Sequence, residues 1–136
     1  MASNALPIVV VADPDISYQR QIIALLQRDF RCLAANSLQE AYQTIQREHP
    51  VLMTLELSQP DGDGIALIEY LQADPMHRQV LIACVTLRTS VKDKVRAFRA
   101  GADDYIVKPL TPSTNFTGRM LLLRRLGHLA RTVPGK

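Results

Sequence analysis

Long apolar runs are missing from this chain of 136 residues. None approaches the roughly 20 residues that a membrane-spanning helix needs. The start, Met1-Ala2-Ser3-Asn4-Ala5-Leu6-Pro7, has neither the basic flank nor the apolar core of a secretion signal. The cytoplasm is therefore the expected location, with no membrane partner. Cysteine is scarce as well: Cys32 and Cys84 are the only two. Neither lies in a CxxC motif or beside a histidine, which excludes a thiolate metal site or a disulfide framework. Both fall in apolar, strand-like runs and read as small buried hydrophobes. Charge of one sign is not in large excess. Lys and Arg total 16 against 13 Asp and Glu, a net charge of +3, and the pI is about 9.1. That balance permits an acidic partner without demanding one. Internal repeats and low-complexity segments are absent, which excludes a repeat array.

What is present is a globular composition, 47% apolar and 21% charged. The length suits one domain, able to bury about two-thirds of its unfolded surface without disulfides or metal. Residues 7–12, "PIVVVA", form a β-branched run that reads as a strand buried on both faces. Asp13-Pro14 reads as a helix start, with Asp13 as N-cap and Pro14 at the first helical position. Ile16, Ile22, Ile23, Leu25 and Leu26 give that helix an inner face. Residues 30–35 read as a second strand. Ser37 and Glu40 form a capping box for a helix that runs to about His49, where Pro50 stops it. A third strand spans 51–57, and a helix over 64–73 carries Ile65, Leu67, Ile68 and Leu71. Residues 80–85 read as a fourth strand, and 90–100 as a helix closed by Gly101. A short fifth strand covers 105–107. The last helix is weak at Asn115, Thr117 and Gly118 and strong through "MLLLRRLGHLA". The domain is expected over 7–127, with 128–136 as a tail or linker.

Five alternations of strand and helix imply an α/β fold, a doubly wound parallel sheet with helices on both faces. In such sheets the site lies beyond the carboxyl ends of the strands. Those ends carry Asp13, Glu56, Thr86 and Lys108. Two acids, a hydroxyl and an amine on one rim suit anion and metal chemistry: carboxylates hold a hard cation, hydroxyl and ammonium hold phosphate oxygens. Glu56 stands out, because an ionised carboxylate is seldom buried without a partner.

Each residue alone has a plainer reading. Asp15 reads as first-turn helix chemistry, although a pairing of Asp13 with Asp15 would offer another metal arrangement. Thr86 alone is a strand-end threonine, and Lys108 a surface lysine. Asp61, Asp63, Asp103 and Asp104 read as turn or surface residues; EF-hand spacing is absent. Arg88, Lys92, Lys94, Arg96 and Arg99 read as a solvated face. No pattern supports direct nucleic acid binding by this domain. Core packing explains most of Leu121, Leu122, Leu123, Leu126 and Leu129; together they exceed what one groove buries, and the excess suits a dimer contact or a following domain.

Four motifs in order point further. "AGADDYIVKPL" at 100–110 resembles "GADDYxxKPF"; "QPDGDG" at 59–64 resembles "MPxMDG". "ACVTL" at 83–87 is similar to a strand ending in Thr/Ser-Ala, and "IVVVADPD" at 8–15 to "hLhVDDD". Together they resemble the receiver domain of two-component response regulators. The resemblance implies a CheY-like, flavodoxin-like sheet of order 2-1-3-4-5 and a signalling module rather than an enzyme. It implies a sensor histidine kinase or other signalling protein as partner, and a possible homodimer through helix 4, strand 5 and helix 5. Carried over by position, Glu56 is the phosphoacceptor, Asp13 a Mg²⁺ acid, Thr86 and Lys108 the groups for phosphoryl oxygens, and Tyr105 the aromatic switch that swings with the Thr.

Two positions depart from that pattern. Glu56 stands where the family has Asp, and Ala12 where it has the first acid of the metal pair. Glu is longer by one methylene, about 1.5 Å, and a misplacement of about 1 Å can cost roughly 100-fold in rate. With Asp13 alone, Mg²⁺ is expected to bind weakly. The expectation is an atypical receiver, a pseudo-receiver that does not use standard Asp phosphorylation, with Glu56 as a fixed anion reaching Lys108. Two alternatives remain: an ordinary phospho-accepting receiver using Mg²⁺, and a haloacid-dehalogenase-like phosphatase with Asp13 as nucleophile and Asp15 as acid. The latter fits "VVVADPDIS", but it needs a lysine before a later acidic pair and room for a cap.

Overall fold

β1 (Ile8–Ala12) is covered on both sides, and that explains its composition. Val9 and Val11 face one helical layer, Val10 and Ala12 the other, and all four are fully buried. Successive side chains of a strand point to opposite faces, so a strand covered on both must be apolar throughout. The computed structural model describes residues 5–132. Within them β1 is followed by α1 (Ile16–Leu26), β2 (Arg31–Ala35), α2 (Leu38–Glu48), β3 (Leu52–Leu55), α3 (Gly64–Ala73), β4 (Leu81–Thr86), α4 (Val91–Ala100), β5 (Asp104–Val107) and α5 (Phe116–Thr132). The strands form one parallel sheet in the order β2-β1-β3-β4-β5. Ile22 and Leu26 of α1, with Phe116 and Met120 of α5, pack on one face against Val9, Val11, Leu52 and Val85. Ile45, Ile68, Leu71 and Ala97 from α2, α3 and α4 pack on the other against Val10, Met53, Leu55 and Ile82. No helix among the described residues is long and apolar enough to cross a membrane.

The register places the rim residues. Ala12 stands beside Leu55, so Asp13 and Glu56 leave the sheet as neighbours, and the Glu56 N–H donates to the Ala12 carbonyl at 2.9 Å. Thr86 stands beside Val107, and the Lys108 N–H donates to the Thr86 carbonyl at 2.9 Å. β1 and β3 are the point where the strand order reverses, the usual crevice of such sheets.

Some boundaries differ from the sequence reading. β3 stops at Leu55, because the chain past Glu56 folds into a two-residue antiparallel ribbon, Ser58–Gln59 with Gly62–Asp63. Asp13 does not cap α1. The helix begins at Ile16, so the cap is Asp15, whose carboxylate accepts the Ser17 and Tyr18 N–H groups at 2.8 and 3.4 Å. Asp13 turns into the sheet end instead, where it accepts the Asp15 N–H at 2.9 Å. Ser37 caps α2 through the Glu40 N–H as expected, but the Glu40 carboxylate accepts the Asn36 N–H rather than that of Ser37, so the expected capping box is half formed. α4 begins at Val91 with Ser90 as its cap, and Gly101, at φ 127°, closes it as expected. Cys84 is buried, its thiol pushed up to about 12 mainly by burial, whereas Cys32 is only partly buried. α5 runs past residue 127 to Thr132, so 128–132 of the expected tail continue that helix; 133–136 lie outside the described residues.

α3 starts directly beneath the rim. A methyl group added at Gly64 would stand 3.0 Å from the Leu57 Cα and 3.2 Å from the Glu56 carbonyl oxygen. Both neighbours are backbone and yield little. Gly64→Ala is expected to destabilise the domain by about 1–3 kcal/mol, read as a lower urea midpoint at unchanged m-value.

Candidate functional site

A buried ammonium needs anions close by. Lys108 has two: its Nζ lies 2.7 Å from Asp13 Oδ2 and 3.0 Å from Glu56 Oε1. It also sits 4.0 Å from the centroid of the Tyr18 ring, a cation–π contact. Asp13, Glu56, Lys108 and Thr86 are 2%, 4%, 5% and 0% exposed, so water barely reaches the group. Glu56 is fully engaged. Oε1 accepts from the Lys108 ammonium and from the Leu87 N–H at 3.1 Å; Oε2 accepts from the Thr86 hydroxyl and from the Ser58 N–H at 3.2 Å. Four donors match the four lone-pair positions of a carboxylate. The strand-end residues Asp13, Glu56, Thr86 and Lys108 therefore meet at one point.

Tyr105 is one step removed. Its ring is buried, and its hydroxyl donates to the Arg88 carbonyl at 2.9 Å. The Arg88 N–H in turn donates to Thr86 Oγ1 at 3.2 Å. Burial, aided by the negative groups nearby, pushes the Tyr105 phenol up to about 12. The two carboxylates shift in opposite directions. For Glu56 burial is the largest single influence and raises the pKa, but the hydrogen bonds from Thr86, Lys108 and the Ser58 N–H, with the Lys108 charge, outweigh it and hold the group below the usual carboxylate range. For Asp13 burial again leads, and Lys108 and the Asp15 N–H do not offset it, so its pKa is raised.

The donor set for a divalent cation is thin. Position 12 offers a methyl group, Lys108 already faces an oxygen of each remaining acid, and Asp15 is committed to capping α1. Among the described residues no three His, Cys, Asp or Glu side chains cluster as metal ligands.

Several contributors were not marked by sequence reasoning. Arg88, expected on a solvated face, sends Nε to Ser58 Oγ at 3.0 Å and Nη1 to Asp63 Oδ1 at 3.2 Å. Gln59 Nε2 donates to the Ala12 and Glu56 carbonyls at 3.1 and 2.8 Å, tying together the ends of β1 and β3. Asp61 accepts the Leu38 and Gln39 N–H groups at 2.9 and 3.0 Å, which pins the turn after β3 to the start of α2. Asp104 pairs with Arg119 at 2.7 Å, and Asp103 accepts the Ile82 N–H at 2.9 Å. Spacing along the chain carries no signal for these contacts; only the folded loops bring the partners together.

The sign of the pH dependence follows from the two shifts. A carboxylate held below its unfolded pKa, about 4.3 for Glu, stabilises the fold above that value, and the stabilisation is lost as pH falls through the folded pKa. Asp13, raised, acts with the opposite sign and loses favour as pH rises through the carboxylate range. Glu56→Gln isolates the first effect. It is expected to cost about 3 kcal/mol at neutral pH, because Lys108 loses a buried partner. The gap to wild type should narrow below about pH 4. Urea unfolding of both proteins from neutral to acid pH measures it.

Residues 8–116 match the family described as response regulator receiver domain. The chain is 30% identical over 123 residues to the phosphate regulon transcriptional regulatory protein PhoB of Escherichia coli (strain K12), covering 90% of this chain and 54% of that protein. It is 31% identical over 118 residues to the transcriptional regulatory protein SrrA of Staphylococcus aureus (strain NCTC 8325 / PS 47), covering 86% and 48%. The chain thus spans about half the length of these curated relatives. A CheY-like response regulator receiver domain protein from Methanospirillum hungatei JF-1 shares the fold with a TM-score of 0.84 at 21% identity, over 93% of this chain and 99% of that one. The receiver domain of the Francisella response regulator 1452 gives a TM-score of 0.79 at 22% identity, over 88% and 98%. With the family match spanning all five strands, the chain belongs to the receiver domains of two-component response regulators.

Proposed function

We propose that this is an atypical receiver, which does not use standard phosphorylation and acts through protein–protein contacts. One observation carries the reading: the Glu56 carboxylate already takes the donors that would hold a phosphoryl group, namely Thr86, Lys108 and the Leu87 N–H. Glu56 then serves as a built-in anion at the phosphoacceptor position. It is a partial stand-in, with one negative charge against about −1.5 to −2 for a phosphoryl group. Tyr105 takes the role of the aromatic switch, and its inward ring suits a state in which hydroxyl and aromatic have both closed on the anion. Receiver domains typically bind Mg²⁺; here Ala12 and the Lys108 contacts support weak binding, with Asp13 as the one remaining acid of the pair. In receivers the interacting proteins are histidine kinases. For this chain the face of α4, β5 and α5 is the proposed contact, to another signalling protein or a second copy, since Val91 and Phe98 of α4, Val107 of β5 and Leu122 of α5 are exposed.

Incubation with Mg²⁺ and acetyl phosphate, followed by intact mass measurement, tests the reading. Wild type is expected to gain no phosphoryl group, and Glu56→Asp to gain one. Phosphorylation of wild type at Glu56 would establish an ordinary phosphorelay component with an unusual acceptor and sink the proposal. A separate measurement addresses the metal. Millimolar Mg²⁺ is expected to leave the wild-type melting temperature unchanged and to raise that of Ala12→Asp/Glu56→Asp, as mass action requires of a cation that binds only the folded state.

A further inference from the structure

Between β4 and α4 one residue touches each part of the outer wall of the site. The Arg88 N–H donates to the Thr86 hydroxyl at 3.2 Å, and its carbonyl accepts from the Tyr105 hydroxyl at 2.9 Å. Its guanidinium reaches the other way. Nε donates to Ser58 Oγ at 3.0 Å, and Nη2 to the Leu57 carbonyl at 3.4 Å. Nη1 lies 3.2 Å from Asp63 Oδ1 and 3.8 Å from Asp93 Oδ1. These partners are themselves fixed. Leu57 and Ser58 directly follow Glu56, and the Ser58 N–H donates to the Glu56 carboxylate. Asp63 caps α3 through the Ile65 N–H at 3.0 Å. Asp93 lies in the first turn of α4, where its N–H is capped by Ser90. The planar fork of arginine serves several acceptors at once, which a lysine ammonium on its flexible stem does not.

We propose that Arg88 is a positioning residue: its fork straps the loop after β3 to the start of α4, and this fixes the carbonyl that holds Tyr105 inward. The strap connects the surroundings of Glu56 to the partner-facing surface through a single side chain. The Tyr105 ring lies 6.4 Å from that of Phe98, which is 44% exposed on α4, and 5.9 Å from Lys94 Nζ. With the strap undone, the Arg88 carbonyl moves, the phenol turns to water, and the Phe98 surface changes. This inference stands whether or not the domain accepts phosphoryl groups.

Fluorine NMR of the full chain labelled with 3-fluorotyrosine tests it. The Tyr105 line is identified by its loss in Tyr105→Phe. In Arg88→Ala and Arg88→Lys that line is expected to move toward the free amino acid and to acquire a solvent isotope shift. In Asp63→Asn, which keeps a good N-cap for α3 but removes the charged end of the strap, it should move part of the way. The lines of Tyr18, Tyr42 and Tyr70 and the far-UV circular dichroism should stay as in wild type, which separates loss of positioning from loss of fold. An unmoved Tyr105 line in folded Arg88→Ala overturns the proposal. Should that variant not fold, unmoved lines in both Arg88→Lys and Asp63→Asn overturn it equally.

Discussion

The rim of this sheet is organised around one buried ammonium. Lys108 enters from the end of β5 and lies between carboxylates from β1 and β3, with Tyr18 of α1 against its charge. Three strands and a helix thus converge on a single cation. Taking that charge out of water costs several kcal/mol, and two anions at hydrogen-bonding range offset it. The arrangement is short of one positive charge, since two acids face one base. Dipoles make up the difference: the Thr86 hydroxyl and the Leu87 and Ser58 N–H groups all point at Glu56, so Glu56 is the acid held ionised. Asp13 has fewer donors to set against its burial, which is why its shift runs upward.

The extra methylene of Glu56 matters in this setting. Here the longer side chain spans to Thr86 and Lys108 without an added group. The missing acid at position 12 fits the same picture: a third carboxylate would add charge to a pocket that lacks a counterion for it. Under the proposed function, Glu56 and Ala12 are compatible with one another, since both leave the pocket with fewer acids than the expected pattern or with its anion already paired.

Much of this was legible in the sequence. β1 and β4 are continuous apolar runs because both faces are covered, and runs of that length bounded by turn residues declare buried strands. Topology then placed Asp13, Glu56, Thr86 and Lys108 together, since parallel strands deliver their last residues to one edge. For Asp13 the sequence offers both a cap and a site role, because an Asp-Pro pair looks the same whether its carboxylate serves the helix or the sheet end; Asp15 takes the cap by lying next to the first helical residue. Arg88 looked like one more solvated cation. Its partners Asp63 and Ser58 lie 25 and 30 residues away along the chain, beyond the reach of any periodicity. Gln59 opens the "QPDGDG" motif, but nothing in that motif marks its amide as a tie between strand ends, a role that depends on a ribbon only two residues wide.

A carboxylate that belongs to a side chain cannot be hydrolysed. An acyl phosphate decays, so a domain that carries one keeps time: its state records how recently it was modified. The charge at Glu56 is laid down when the chain is synthesised and persists until the chain is degraded or the group is protonated. On the proposed reading such a domain counts copies rather than moments, and its message is read from how much of it is present and where.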